Sequence, residues 1–155
     1  MRGVYTLIIR SAQSRRIRVG GHVLVFKKGL YLYTGSALGR GPTSLEGRIS
    51  RHLGRRKRSF WHIDRVLSSS SVRVVSVVFA NTTSKMECKV NTALLKESGI
   101  EVLARGVGSS DCRCESHFLI ARCSTGVLPR KVRSCYIRLG LRPHTLQDHT
   151  LGPSD

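Results

Sequence analysis

The chain has 155 residues, of which 40% are hydrophobic, and this is enough to fill the core of one ordinary domain. It carries 27 Lys and Arg against 9 Asp and Glu, so its formal net charge at pH 7 is +18. So much positive charge on a small domain repels itself unless an anion binds, and nucleic acid is the usual partner. Nucleic acid, either DNA or RNA, is therefore the expected partner. A membrane surface is disfavoured because no basic helix carries a clean leucine and aromatic face.

The N-terminal segment is not expected to be a signal peptide. Its apolar run is interrupted at Arg10 and no small-residue cleavage site follows. No stretch approaches the roughly twenty apolar residues that a membrane-spanning helix needs. Five cysteines without a secretion signal predict an intracellular, mostly reduced protein. The expected location is the cytoplasm, in association with the nucleoid. One disulfide is left open among Cys112, Cys114, Cys123 and Cys135.

The first third of the chain favours short strands joined as antiparallel hairpins. Runs of β-branched and apolar residues predict strands at residues 3–11, 17–19, 23–26 and 30–34. Residues 35–43 contain three glycines and a proline, which predicts an irregular loop. Thr43 or Ser44 would then cap a helix that runs to Leu53, with Glu46 in its first turn.

Helices and strands alternate in the rest of the chain. Periodicity predicts helices at residues 60–67, 84–98 and 127–139 and strands at residues 72–80, 100–104 and 116–123. The expected fold class is α/β of the α+β type: a small, mostly antiparallel β-sheet flanked by helices. It would occupy one domain over residues 1–142, followed by a loosely held tail over residues 143–155.

Two short tyrosine–glycine motifs stand on strands that are expected to be neighbours. They read GVY at residues 3–5 and YTG at residues 33–35, and a glycine-rich loop follows the second. Arg48 and His52 come next, one helical turn apart. This order resembles the paired signature of the GIY-YIG nuclease superfamily, and the resemblance implies its small antiparallel sheet, with both tyrosines facing the active site.

The match is closer to one branch of that superfamily. The segments that carry it read GLYLYTGSA, RISRH, WHID and GSSDCRCESH, at residues 29–37, 48–52, 61–64 and 108–117. They are similar to the branch catalogued as domain of unknown function 123, over residues 3–119. Four motifs in the same order make a chance match improbable.

The resemblance implies phosphodiester hydrolysis, which needs an activated water and charge stabilisation on the phosphate. Tyr5 or Tyr33 is expected to activate the water, and Arg48 to bind the phosphate oxygens. His52 would share the proton transfer or orient a tyrosine. Because a free tyrosine titrates near pH 10, it acts as a base only where cations lower its pKa.

The resemblance also implies one divalent ion, Mg²⁺ or Mn²⁺, held by a glutamate on a helix after the third strand. Glu87 is in that place, while Glu97 and Glu101 fit the pattern less well. The chain departs from the pattern at Ser36, where several members of the superfamily have a lysine. Arg40 is the expected replacement for that charge.

Three further residues are candidates for positions near the site: His62, Asp111 and His117. Zinc would use Cys112, Cys114, His117 and a distant Cys123 or Cys135. Structural zinc pairs usually have two to four residues between their cysteines and this pair has one, so zinc is not expected.

A basic run follows the candidate helix, where it would contact the phosphate backbone without reading sequence. The residues expected to bind nucleic acid are Arg40, Arg51, Arg55, Arg56, Lys57 and Arg58. The sequence thus predicts a metal-dependent DNA endonuclease, structure-selective and related to repair or recombination. The alternative is a non-catalytic basic module that binds DNA or RNA with the same fold. Nothing in the sequence indicates the oligomeric state.

Overall fold

The computed structural model describes residues 1–19, 21–54, 62–103 and 117–147, and for His62 the backbone alone. Within them, strands lie at Gly3–Ser11 (β1), Arg15–Val19 (β2), His22–Phe26 (β3), Gly29–Ala37 (β4), Val72–Asn81 (β5), Ile100–Val102 (β6), Phe118–Ala121 (β7) and His144–Gln147 (β8). Helices lie at Leu45–Leu53 (α1), His62–Leu67 (α2), Glu87–Leu95 (α3) and Leu128–Arg138 (α4).

Six strands form one antiparallel sheet in the order β6-β7-β4-β1-β5-β8, and β2 pairs with β3 in a separate two-stranded ribbon. The expected α+β class, a mostly antiparallel sheet flanked by helices, is confirmed. No described helix is both long and apolar enough to cross a lipid bilayer.

The central position of β1 in the sheet explains why its sequence is almost continuously apolar. It pairs with β4 on one side and β5 on the other, and both of its faces are covered. Tyr5, Leu7 and Ile9 lie on the first face, which packs against α1, α2 and the β2–β3 ribbon. Val4 and Ile8 lie on the second face, which packs against α3 and α4. The helices therefore sandwich the sheet.

Helix α1 begins where the sequence places an N-cap. The Ser44 hydroxyl accepts a hydrogen bond from the Gly47 amide at 3.1 Å, so Ser44 rather than Thr43 is the cap. Leu45, Ile49 and His52 recur at helical spacing and bury one side of α1 against the first face. This is the local reason why His52 faces the sheet.

The irregular loop predicted from Gly35 onward is wrong for its first three residues. β4 continues to Ala37, and its last residues pair with the first residues of β1, with Gly35 opposite Tyr5. Pairing with a central strand thus outweighs the low strand propensity of glycine. The strand carries Gly35 and Ser36 into the sheet, so their neighbours are fixed by the register.

Two other predicted boundaries differ from the structure. Helix α3 covers residues 87–95, which is shorter at both ends than the predicted residues 84–98. The tail predicted as loosely held from residue 143 is wrong for β8, which pairs with β5 at the sheet edge. His144 stacks on Phe79 there, with ring centroids 5.6 Å apart, and this apolar contact helps to hold the strand. Residues 148–155 lie outside the described residues.

Candidate functional site

Tyr5 and His52 form the centre of the candidate site. The Tyr5 hydroxyl lies 2.8 Å from Nε2 of His52, although 47 positions separate the two residues in the sequence. Their ring centroids are 5.3 Å apart. Tyr5 is 1% exposed and His52 is 2% exposed, so this hydrogen bond is sheltered from water. β1 supplies the phenol and the buried side of α1 supplies the imidazole.

Gly35 provides the space that the Tyr5 ring occupies. A Cβ at position 35 would lie 2.6 Å from the Tyr5 hydroxyl oxygen and 2.8 Å from the ring carbon that bears it. Any side chain there would push the ring away from its position. The glycine of the second motif is therefore required by the tyrosine of the first.

We expect Gly35→Ala to lower the free energy of unfolding by about 1–3 kcal/mol, because the added methyl group overlaps the Tyr5 ring. Urea denaturation measures the change. The matched control is Gly126→Ala, since nothing lies within 4 Å of a Cβ at that position. Equal stability of the two variants would show that the close packing at Gly35 is unimportant.

Arg48 acts on the same phenol. Burial raises the pKa of Tyr5 to about 12, and the charge of Arg48 together with its hydrogen bond to the phenol opposes this rise. The charges of Asp64 and Glu87 add to the rise. Arg48 thus lowers the pKa of Tyr5, but burial outweighs it and the phenol stays neutral at neutral pH.

The hydrogen-bond directions follow from the chemistry of the three groups. A guanidinium can only donate, so the Tyr5 oxygen accepts from Arg48. The Tyr5 hydroxyl then donates its own hydrogen to Nε2 of His52, which favours the imidazole tautomer protonated at Nδ1. Tyr5 in this arrangement both holds the guanidinium and donates to the histidine.

The raised pKa of Tyr5 predicts a loss of stability at alkaline pH. Its contribution is complete below pH 10, where the phenol is neutral in both states. It is lost as the pH rises from 10 through about 12, because only the unfolded state releases its proton there. Tyr5→Phe should therefore lose less stability than wild type over this range, by an amount on the order of 3 kcal/mol. Denaturation at several pH values measures both slopes, and parallel slopes would contradict the assignment.

Tyr33 and Arg48 form a partly exposed rim above the buried pair. Each is of intermediate exposure. The Tyr33 ring packs between Phe118 and His52, with centroid distances of 5.0 Å and 6.4 Å. The structure thus brings four of the predicted residues together on the first face, with two at the rim and two beneath it.

Glu87 lies on the opposite side of the sheet from Tyr5 and Tyr33. It is the first residue of α3, which packs on the second face, and it is 7% exposed. Its carboxylate accepts a hydrogen bond from Ser36, which points to that face from the position next to Gly35. Its connection to Tyr5 is by charge, since Glu87 contributes to the raised pKa of that phenol.

β4 extends past the end of its neighbour β7. The ladder between β4 and β7 ends at the pair Tyr33 and Phe118, before β4 reaches Gly35 and Ser36. Glu87 is bonded to the strand beyond that point. The carboxylate therefore stands at the edge of the strand that also carries Tyr33.

His117 belongs to this edge. It is 5% exposed and its Nε2 lies 3.8 Å from Sγ of Cys88, the residue after Glu87. Sequence reasoning singled out His117 but missed Cys88, which carries no motif of its own. The signal that could have found Cys88 is its position directly after the candidate glutamate.

Glu87 is the described side chain that could hold the predicted divalent ion. No group of three or more His, Cys, Asp or Glu side chains that could hold a metal occurs in the described part of the chain. A single carboxylate at the strand edge suits Mg²⁺, which keeps several waters and shares the phosphate of its substrate. Glu87 fits that mode of binding. Asp111, Cys112 and Cys114 lie outside the described residues.

The residues predicted to bind phosphate divide into three groups. Arg40 is exposed and precedes the short 3₁₀ turn before α1. Arg51 forms an ion pair with Asp64 of α2, at 3.0 Å. Residues 55–58 and the side chain of His62 lie outside the described part of the structure, so their predicted roles stay predictions.

Asp64 is fully buried and Arg51 is 27% exposed, so the pair has a structural role. We expect Arg51→Ala to lower the free energy of unfolding by about 3–5 kcal/mol, because it removes a cation that is paired with a fully buried carboxylate. Arg40→Ala, at an exposed position, is the control and should change stability by less than about 0.5 kcal/mol. Similar stability of both variants would show that the ion pair has no structural role, and Arg51 would again be a candidate to bind phosphate.

The comparison with protein families confirms the resemblance to domain of unknown function 123. The family model for the domain of unknown function DUF123 matches residues 4–138. The chain belongs to the DUF123 family. The matched region of this DUF123 domain includes β1, α1, β4 and α3, and hence every described residue of the candidate site. No curated protein and no solved structure matches the chain.

Proposed function

We propose that this DUF123 domain is a divalent-metal-dependent endonuclease of the GIY-YIG type that hydrolyses DNA phosphodiester bonds. The observation that carries the proposal is the convergence of His52 and Arg48 on the hydroxyl of Tyr5, whose ring packs against Gly35. The net charge of +18 supports a polyanionic substrate. In the absence of a recognition module in the sequence, we expect structure-selective cleavage in repair or recombination, in the nucleoid.

Each residue of the cluster has a role that its surroundings support. Arg48 and Tyr33 are partly exposed and would meet the phosphate, Arg48 as a charged donor to its oxygens. Tyr5 is neutral, so it would act as a relay: it takes a proton from the attacking water while its own proton passes to Nε2 of His52. A relay of this kind does not need a free tyrosinate at neutral pH.

Glu87 is the residue that would hold the divalent ion, together with water and a phosphate oxygen. When bound, Mg²⁺ or Mn²⁺ supplies charge stabilisation to the phosphate and the leaving oxygen. Ser36 stands where several GIY-YIG proteins have a lysine, and its hydroxyl donates to the same carboxylate. We propose that Ser36 orients Glu87.

A second candidate function is a non-catalytic module that binds DNA or RNA. Two observations favour it: Tyr5 is 1% exposed, and burial raises its pKa to about 12. Both properties suit a structural phenol better than a general base. The hydrogen bond from Ser36 also gives Glu87 a structural partner.

Cleavage assays separate the two functions. Linear, nicked, flapped and four-way-junction DNA are incubated with the protein and Mg²⁺ or Mn²⁺, and products are resolved on denaturing gels. His52→Ala, purified in the same way, controls for contaminating nuclease. Metal-dependent cleavage by wild type alone supports the enzyme. Tight binding of these substrates without cleavage of any of them supports the non-catalytic module.

A further inference from the structure

We propose that the β2–β3 ribbon is a docking surface for duplex DNA and that it inserts into the major groove beside the candidate site. The inference deepens the proposed function, since it rests on DNA being the substrate and assigns the surface that holds it. The ribbon is not part of the Tyr5 cluster, and none of the motifs found in the sequence includes it.

The ribbon has one buried face and one open face. Ile17, Leu24 and Phe26 pack toward the first face of the sheet. On the open face Arg16 is opposite Val25 and Arg18 is opposite Val23. All four are exposed, Val23 to 55% and Val25 to 45%. Two arginines and two valines therefore form an open basic and apolar surface.

The charge of this surface is not balanced by neighbours in the sequence. Residues 1–45 contain no Asp or Glu, and Lys27 and Lys28 follow the ribbon directly. Several carboxylates elsewhere in the described chain have other cationic partners. These pairs are Glu46 with the N-terminus, Asp64 with Arg51, Glu97 with Arg138 and Glu101 with Arg122. The surface is thus complementary to a polyanion.

The ribbon and the candidate site are on the same side of the sheet. Phe26 of the ribbon lies 6.4 Å from Phe118, measured between ring centroids, and Phe118 lies 5.0 Å from Tyr33. Tyr33 in turn lies 6.4 Å from His52. Three successive ring contacts thus connect the ribbon to the site. The length of this path is shorter than one helical turn of a duplex, about 34 Å. DNA held by the ribbon would pass the rim formed by Tyr33 and Arg48.

The shape of the ribbon selects among nucleic acids. Its two strands are about 4.8 Å apart, and the major groove of B-DNA, about 12 Å wide, admits a ribbon of this size. The major groove of A-form RNA is too narrow for it. Arg16 and Arg18 can reach phosphates or guanine edges, and Val23 and Val25 can contact thymine methyl groups. Duplex DNA is therefore the occupant that the geometry favours.

The test measures binding of a fluorescent 20-base-pair DNA duplex by anisotropy, with EDTA present so that cleavage does not interfere. We expect Arg16→Gln/Arg18→Gln to raise the Kd on the order of tenfold at about 100 mM salt. The slope of log Kd against log salt should fall by about 1.8, which is about 0.9 for each phosphate that the variant no longer neutralises. Arg16→Lys/Arg18→Lys keeps both charges and should restore the slope. Each single variant should show about half of the slope change, which gives the same result if the double variant folds poorly.

The matched control is Arg73→Gln/Arg130→Gln, which removes two exposed arginines on the side of α4 and leaves the ribbon intact. It should bind the duplex with a slope close to that of wild type. An equal loss in control and ribbon variants would overturn the proposal, as would wild-type binding by the ribbon variants. Tighter, ribbon-dependent binding of duplex RNA would overturn the choice of DNA. Since no cleavage is measured, failure of the nuclease proposal would leave this result interpretable.

Discussion

Glu87→Gln is expected to lower metal-dependent DNA cleavage by at least about a thousandfold and to leave DNA binding near the wild-type level. Glutamine keeps the shape of the side chain and can still accept the hydrogen bond from Ser36, so the start of α3 should remain folded. The charge that would hold the divalent ion is lost. Cleavage rates in Mg²⁺ and Mn²⁺ and anisotropy in EDTA measure the two effects.

Two variants make this result specific. Glu101→Gln removes an exposed carboxylate that pairs with Arg122, and it should cleave at the wild-type rate. Ser36→Ala keeps the Glu87 charge but removes the hydroxyl that orients it, and a loss of about 10–100-fold is expected. Wild-type cleavage by Glu87→Gln would remove Glu87 from the proposed metal site. The ion would then have to be held by other residues.

The position of Glu87 shows what motif spacing can and cannot predict. The sequence places a glutamate on the helix after β5, and the structure has it there. Spacing says nothing about the side of the sheet on which that helix packs. Met86, Val90 and Leu94 decide this by burying against the second face, opposite Tyr5. The carboxylate is therefore bonded to Ser36 on the second face, and it acts on Tyr5 through its charge.

Local pattern was sufficient for the elements with strong apolar periodicity. β1 and β5 were predicted to within a residue, because each is a run of β-branched residues buried in the middle of the sheet. The helix α1 followed from its cap at Ser44 and its apolar spacing. Tyr5 and His52 lie on such elements, so the sequence alone predicts that they belong to the same site.

Interactions between distant segments were beyond local pattern. β8 has no strong strand signal and forms because β5 offers it an edge. Arg51 stands in a basic helix and is expected to bind phosphate, but it forms an ion pair with the fully buried Asp64, thirteen positions later. Sequence charge does not distinguish a cation that is paired internally from one that is open to a ligand.

Tyr5→Phe and His52→Ala are each expected to lower the cleavage rate by about 10²–10⁴-fold, while Kd for DNA changes by less than about threefold. Each variant breaks the 2.8 Å hydrogen bond through which the proposed relay passes a proton. If the two residues act as one unit, the double variant should be no slower than the slower single variant. If the bond were merely structural, the variants would lose stability, and the rate losses of the two single variants would add up in the double variant. Single-turnover cleavage at saturating protein measures all four members of the cycle.

The control is Tyr31→Phe, which removes a phenol from β4 whose hydroxyl donates to the Lys27 carbonyl at 2.7 Å. It should lose stability of about 1 kcal/mol and keep its cleavage rate. Comparison with Tyr5→Phe separates the loss of a buried hydroxyl from the loss of a relay. Rates that multiply in the double variant would mean that Tyr5 and His52 contribute independently. In that case Tyr33, which is more exposed than Tyr5, would become the better candidate to activate water.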